Sequence, residues 1–133
     1  MCIRDSTVGH GTGEVANLFA VAPDVDLVSI KRRNLADNAH ALARAIDLGP
    51  RIINCSWALS LTDVMFSTHQ ALEVEILRAS EMGILIVAAM GNGLPGFPAQ
   101  HPSVLAVGAY TTDKGWNSSR AVSYTHLTLP TKA

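Results

Sequence analysis

Gly83-Ile84-Leu85-Ile86-Val87-Ala88-Ala89-Met90-Gly91-Asn92-Gly93 decides the fold. Positions 84–89 are apolar without interruption, between one glycine and a glycine-rich turn. A strand with one wet face would show a polar residue at every second place. A short run with none reads as a strand covered on both faces, the pattern of a parallel sheet flanked by helices.

The neighbouring segments fit that reading. Ser67 and Gln70 have capping-box spacing and predict a helix. Leu72, Ile76 and Ala79 form its apolar stripe, His69 lies on its exposed side, and Gly83 stops it. Ahead of it, residues 60–66 read as a loop and Arg51 to Trp57 as a short strand. Ala39 to Leu48 reads as a helix capped by Asp37 or Asn38, striped by Leu42, Ala45 and Ile46 and stopped by Gly49-Pro50. His40 falls on its polar face. Val25 to Ile30 alternates and reads as a strand. Val104 to Ala109 supplies a fourth strand, and the polar stretch 111–121 takes no assignment. Strands alternating with helices predict an α/β domain of three layers, a mostly parallel sheet with helices on both faces. Ligands of such sheets bind beyond the carboxyl ends of the strands. The order of the strands is left open.

The composition narrows the function. A chain of 133 residues, 48% hydrophobic and 16% charged, forms a core and is one domain or part of one. A net charge of −1 gives no reason to expect a nucleic-acid partner. Lys31-Arg32-Arg33 reads as a solvated turn. No apolar run is long enough for a bilayer, so no membrane partner is expected. Cys55 follows an apolar run and reads as a small core residue, with no disulfide implied. No metal site is expected. Residues 1–6 and 122–133 resemble translated sequencing-adapter sequence, so 7–121 is expected to be the natural segment, an internal piece of a longer protein. Asp5, close to His10, is set aside as an acid partner for that reason.

Gly9-His10-Gly11-Thr12-Gly13 opens an Ala-rich run in which Val15, Leu18, Phe19 and Ala22 share a helical face. His10 is expected at the start of a buried helix with its ring free to enter a cleft, a placement that suits a general base. Two other readings stand beside this one. Gly9-x-Gly11-x-Gly13 before a helix could cradle a phosphate, although a dinucleotide fingerprint needs a strand ahead of it and a different glycine spacing. Asn92 between glycines could be a turn residue tolerating positive φ.

Taken in order, the pieces resemble the subtilisin-like serine proteases, the subtilases. His10-Gly11-Thr12-Gly13 resembles their histidine motif. Ile52-Ile53-Asn54-Cys55-Ser56-Trp57 resembles the strand leading to their substrate-binding edge. Gly83 to Gly93 resembles the strand that delivers the oxyanion-hole asparagine, and the likeness continues through Phe97-Pro98-Ala99 and His101 to Ala109. The domain would then be part of a subtilisin-like catalytic domain in a serine endopeptidase with a Ser-His-Asp triad. The resemblance makes His10 the general base and Asn92 the oxyanion donor. It makes Ser56, Trp57 and Ala58 the edge that pairs with substrate backbone, and Ala89, Met90 and Gly91 a wall of the pocket before the scissile bond. It also suggests a cis bond before Pro98. The implied partner is a polypeptide. No cofactor is implied, although structural calcium is compatible with the parent protein, and family members of this kind are secreted.

The chain departs from the family's pattern at several places. Gly13 stands where a second histidine is usual, and Glu14 where an apolar residue is usual. Trp57-Ala58 replaces a smaller pair. The aspartate motif would precede Thr7 and the serine motif would follow Ala121. Ser118 and Ser119 lack the surround of a nucleophile. The piece itself is therefore expected to be inactive. The non-enzyme alternative is a degenerate subtilase fold that binds peptides or serves a structural role.

Overall fold

The computed structural model describes residues 9–32, 34, 37–60, 66–91 and 96–108. Its elements run α1 (His10–Val21), α2 (Asn38–Asp47), β1 (Ile52–Cys55), α3 (Phe66–Glu81), β2 (Leu85–Ala89) and β3 (Val104–Val107). The strands form one parallel sheet in the order β1-β2-β3. α3 makes the crossover from β1 to β2, as a parallel pair requires. The chain is thus an α/β unit, as its alternating pattern predicts.

Register explains which side chains meet. Ile53 pairs with Ile86, which pairs with Val104. Cys55 and Ala88 continue the same face one pleat further on. All five are buried, under Leu72, Ile76 and Ala79 of α3 and Ala41, Leu42, Ala45 and Ile46 of α2. Burying each leucine or isoleucine contributes roughly 1.5–3 kcal/mol. This is the core anticipated from the helical stripes. α3 ends at Gly83, whose φ of 71° lies in the left-handed region. Gly83 N–H bonds to the Ser80 carbonyl at 3.0 Å and Ile84 N–H to that of Ala79 at 2.9 Å, a Schellman closure that turns the chain straight into β2.

Several expectations need correction. Val25–Ile30 is not a strand. Val25 and Val28 are exposed, Ile30 alone of that stretch is buried, and the segment reaches no further than a single β-bridge at Ile30. The 84–89 run is apolar throughout, yet β2 alternates in burial, with Leu85 41% exposed. α2 and α3 cover the Ile86 face, whereas α1 meets the sheet only near the carboxyl end of β1, at Ser56. α1 is itself mostly exposed, with Gly11 its one buried residue. α3 already begins at Phe66, so Ser67 lies within its first turn. His69 is half-buried, its ring edge-on to Phe97 at 5.3 Å. Arg32 is buried rather than solvated, its guanidinium carbon 4.9 Å from the Trp57 ring centroid and its Nη1 donating to Asn38 Oδ1. The Phe97–Pro98 bond is cis, as the resemblance suggests. Asn92, the adapter-like ends at 1–6 and 122–133, and the stretch after Gly108 lie outside the described residues.

Candidate active site

Gly9 places the histidine. It caps α1 with φ 70° and offers no side-chain bond to the helix, so its role is conformational. The Gly13 N–H closes the first turn onto the Gly9 carbonyl at 3.0 Å. His10 is therefore the first residue of the helix, and its side chain is 44% exposed. The same geometry weakens the phosphate-loop reading. Gly11 and Gly13 lie inside a helix, and the Gly13 amide is engaged by backbone.

α1 meets the carboxyl end of β1, the end at which α/β sheets present their ligand sites. His10 Nε2 lies 3.3 Å from the Ser56 carbonyl oxygen. A carbonyl only accepts, so in this contact Nε2 is the donor. The Ser56 hydroxyl donates to Glu14 Oε2 at 2.9 Å and accepts from Asn54 Nδ2 at 2.8 Å. The other Glu14 oxygen stands 3.9 Å from His10 Nδ1, an i,i+4 pair on one helix face. Of the two ring nitrogens only Nε2 is within hydrogen-bond length of a partner, since Nδ1 and the carboxylate stand 3.9 Å apart.

Beside this group opens a cleft of about 520 Å³. Every described residue singled out from the sequence lines it. His10, Ser56, Trp57 and Ala58 come from the α1 and β1 side. Ala89, Met90 and Gly91 come from the end of β2. Residues from three segments well separated in sequence thus converge on one space. The sequence reading missed six further liners: Glu14, Asn54, Val87, Ala88, Val107 and Gly108. Glu14 carried a signal, being an acid one turn beyond His10 at a place where the subtilase pattern is apolar. Asn54, Val87 and Val107 lie on the sheet face opposite the core, and only the strand register shows that.

The wall is held by close contact. A Cβ at Gly96 would stand 2.7 Å from the Ala58 Cβ and 2.9 Å from the Leu59 carbonyl oxygen. Only a residue without a side chain lets the 96–97 backbone reach Leu59, with which Phe97 exchanges bonds of 2.8 and 2.9 Å. Gly96 N–H also bonds to the Met90 carbonyl at 2.8 Å, and Met90 N–H to that of Val107 at 2.9 Å. The Met90 backbone is thereby fixed from two sides. Among the described residues no group of three or more metal-ligating side chains comes together, and no helix is long and apolar enough to cross a membrane.

Comparison with known proteins agrees with this arrangement. The model of the Subtilase family (Peptidase S8) matches residues 6–130. The chain is 34% identical to alkaline elastase YaB of Bacillus sp. (strain YaB), over 85% of this chain and 32% of that protein. It is 37% identical to a thermostable alkaline protease of Halalkalibacterium halodurans, over 76% of this chain and 31% of that protein. It is 35% identical to subtilisin DY of Bacillus licheniformis, over 86% and 47% respectively. Among solved structures it is similar to the prenylagaramide maturation protease PagA, with a TM-score of 0.50 and 30% identity, over 67% of this chain and 31% of that one. The chain spans about a third of the length of the first two relatives and just under half of the third. A histidine at a helix start facing the carboxyl end of a parallel sheet, together with a family match over nearly the whole chain, leads to one conclusion: this protein belongs to the subtilase family.

Proposed function

We propose that this chain is the central part of a serine endopeptidase, and that the cleft beside His10 receives the peptide to be cut. The convergence of His10, the Ser56–Ala58 edge and the Ala89–Gly91 wall on one space carries this reading. His10 is the general base. It takes the proton of a serine hydroxyl as the oxygen attacks the scissile carbonyl, then returns it to the leaving amine. Asn92 donates its amide to the oxyanion. Ser56, Trp57 and Ala58 pair with the substrate backbone as an added strand, and side-chain pockets set the preference. Ala89, Met90 and Gly91 form the wall of one such pocket.

The 133 residues hold no Gly-Thr-Ser block and, after the adapter-like first six positions, no aspartate motif ahead of His10. On this reading residues 7–121 are the natural segment, the nucleophile and the orienting acid come from the flanking parts of the parent protein, and the chain by itself does not turn over peptides. The test is to express the complete gene product and assay casein hydrolysis with and without a serine-directed fluorophosphonate. Cleavage that the reagent abolishes, with one serine labelled, supports the proposal. Absence of both cleavage and label leaves the degenerate peptide-binding fold instead.

A further inference from the structure

Glu14 gives the cleft a charge that its other liners lack. Among the described residues around it, the rest are neutral side chains and the His10 imidazole. The Glu14 side chain is 32% exposed, so it is neither a buried structural carboxylate nor a free surface one. Its position is fixed at both ends. It projects from α1 one turn beyond His10, and the Ser56 hydroxyl, itself held by Asn54, donates to Oε2. That is one hydrogen bond to a group with about four acceptor sites. The second oxygen is 3.9 Å from His10 Nδ1, beyond hydrogen-bond length. Among the described residues no lysine or arginine forms an ion pair with it. A carboxylate held in a walled, partly dry cleft with no resident cation attracts a cation from outside more strongly than it would on open surface.

We propose that Glu14 is a specificity-determining residue, and that this cleft selects peptides carrying a lysine or arginine side chain beside the scissile bond. The inference rests on the cleft being the substrate site. The apolar walls contributed by Val87, Ala89 and Met90 suit the methylene stem, and the Glu14 carboxylate receives the charged tip. A neutral side chain of equal length would leave the carboxylate without its partner. A glutamate would meet a like charge.

The test uses the complete gene product and matched peptides that carry lysine, norleucine or glutamate at successive positions around one cleavage site. Ratios of kcat/KM measured on one preparation do not depend on how much enzyme is active. The wild-type protein is expected to prefer lysine over norleucine by about five- to ten-fold at one position, with the preference shrinking as salt is raised. Glu14→Gln is expected to bring that ratio to about one, and Glu14→Lys to reverse it in favour of glutamate. A lysine-to-norleucine ratio near one in the wild type, or one unmoved by Glu14→Gln, overturns the proposal. If no peptide is cut and no serine is labelled, the protease reading fails separately. The same peptides are then compared by calorimetric binding, and equal affinities at every position overturn the charge selection on its own.

Discussion

The Ser56 hydroxyl donates to Glu14 Oε2 at 2.9 Å, joining the helix that carries His10 to the end of the first strand of the sheet. Since α1 is exposed along most of its length, this bond and the contact between His10 and the Ser56 carbonyl are, among the described residues, the side-chain ties that orient it. The geometry of the base therefore depends on a residue placed 46 positions away in sequence.

Removing that tie should loosen α1 more than it weakens the core. Ser56→Ala is expected to lower unfolding stability by about 1 kcal/mol, the usual net worth of one hydrogen bond, and somewhat more when the acceptor is charged. Glu14→Ala, which takes away the acceptor, should cost a similar amount. The double variant should cost clearly less than the two combined, because both remove one interaction. Urea unfolding of the four proteins measures this, and strict additivity would show that the bond carries no coupling.

Two glycines should respond in opposite ways to the same change. Gly96→Ala drives a methyl into the Ala58 side chain and the Leu59 carbonyl, so a loss of about 1–3 kcal/mol is expected. Gly13→Ala places its methyl in open space on a helix, where alanine is favoured over glycine by up to about 1 kcal/mol. Thermal unfolding should show the first variant falling and the second unchanged or rising. Equal shifts of one sign would contradict the close approach at Gly96.

His101 should make stability depend on pH. Burial pushes its imidazole below the ordinary 6.5, against a smaller opposing pull from Glu73. Its Nδ1 accepts the Ser103 N–H at 3.1 Å, a bond that the protonated ring cannot accept. The folded state thus prefers the neutral ring, and the unfolded chain binds more protons just below pH 6.5. The contribution is full above the unfolded value and is lost as pH falls through the lower folded value. His101→Gln is expected to flatten that part of the stability profile between pH 7 and 5. An unchanged profile would show that His101 is not the group responsible.

Much of this arrangement is legible in the chain, and particular residues show where legibility stops. The stripes of Leu42, Ala45 and Ile46 and of Leu72, Ile76 and Ala79 are written at helical spacing, and all six are buried. Gly49 and Gly83 end the two helices where the sequence places their ends. Val25–Ile30 misleads, because alternation records which residues could face a core and not how far pairing extends, which here is a single bridge at Ile30. Arg32 misleads for a related reason. A run of three basic residues looks solvated until Trp57, distant in sequence, supplies a ring face and Asn38, six residues on, an acceptor. At the site, His10 announces itself by its glycines. Asn54, by contrast, becomes a cleft residue only through strand register, and the hydrogen bond that holds Glu14 is seen only in the fold that brings Ser56 to it.

The measurement that bears most directly on the account is kcat/KM for peptide hydrolysis by the complete gene product and by its His10→Ala variant, prepared side by side with circular dichroism to confirm equal folding. The account predicts efficient hydrolysis by the wild type and a loss of at least about 10³-fold in the variant, a magnitude carried over from this family of proteases and not calculated from the present structure. Hydrolysis by a well-folded His10→Ala protein at the wild-type rate would contradict it.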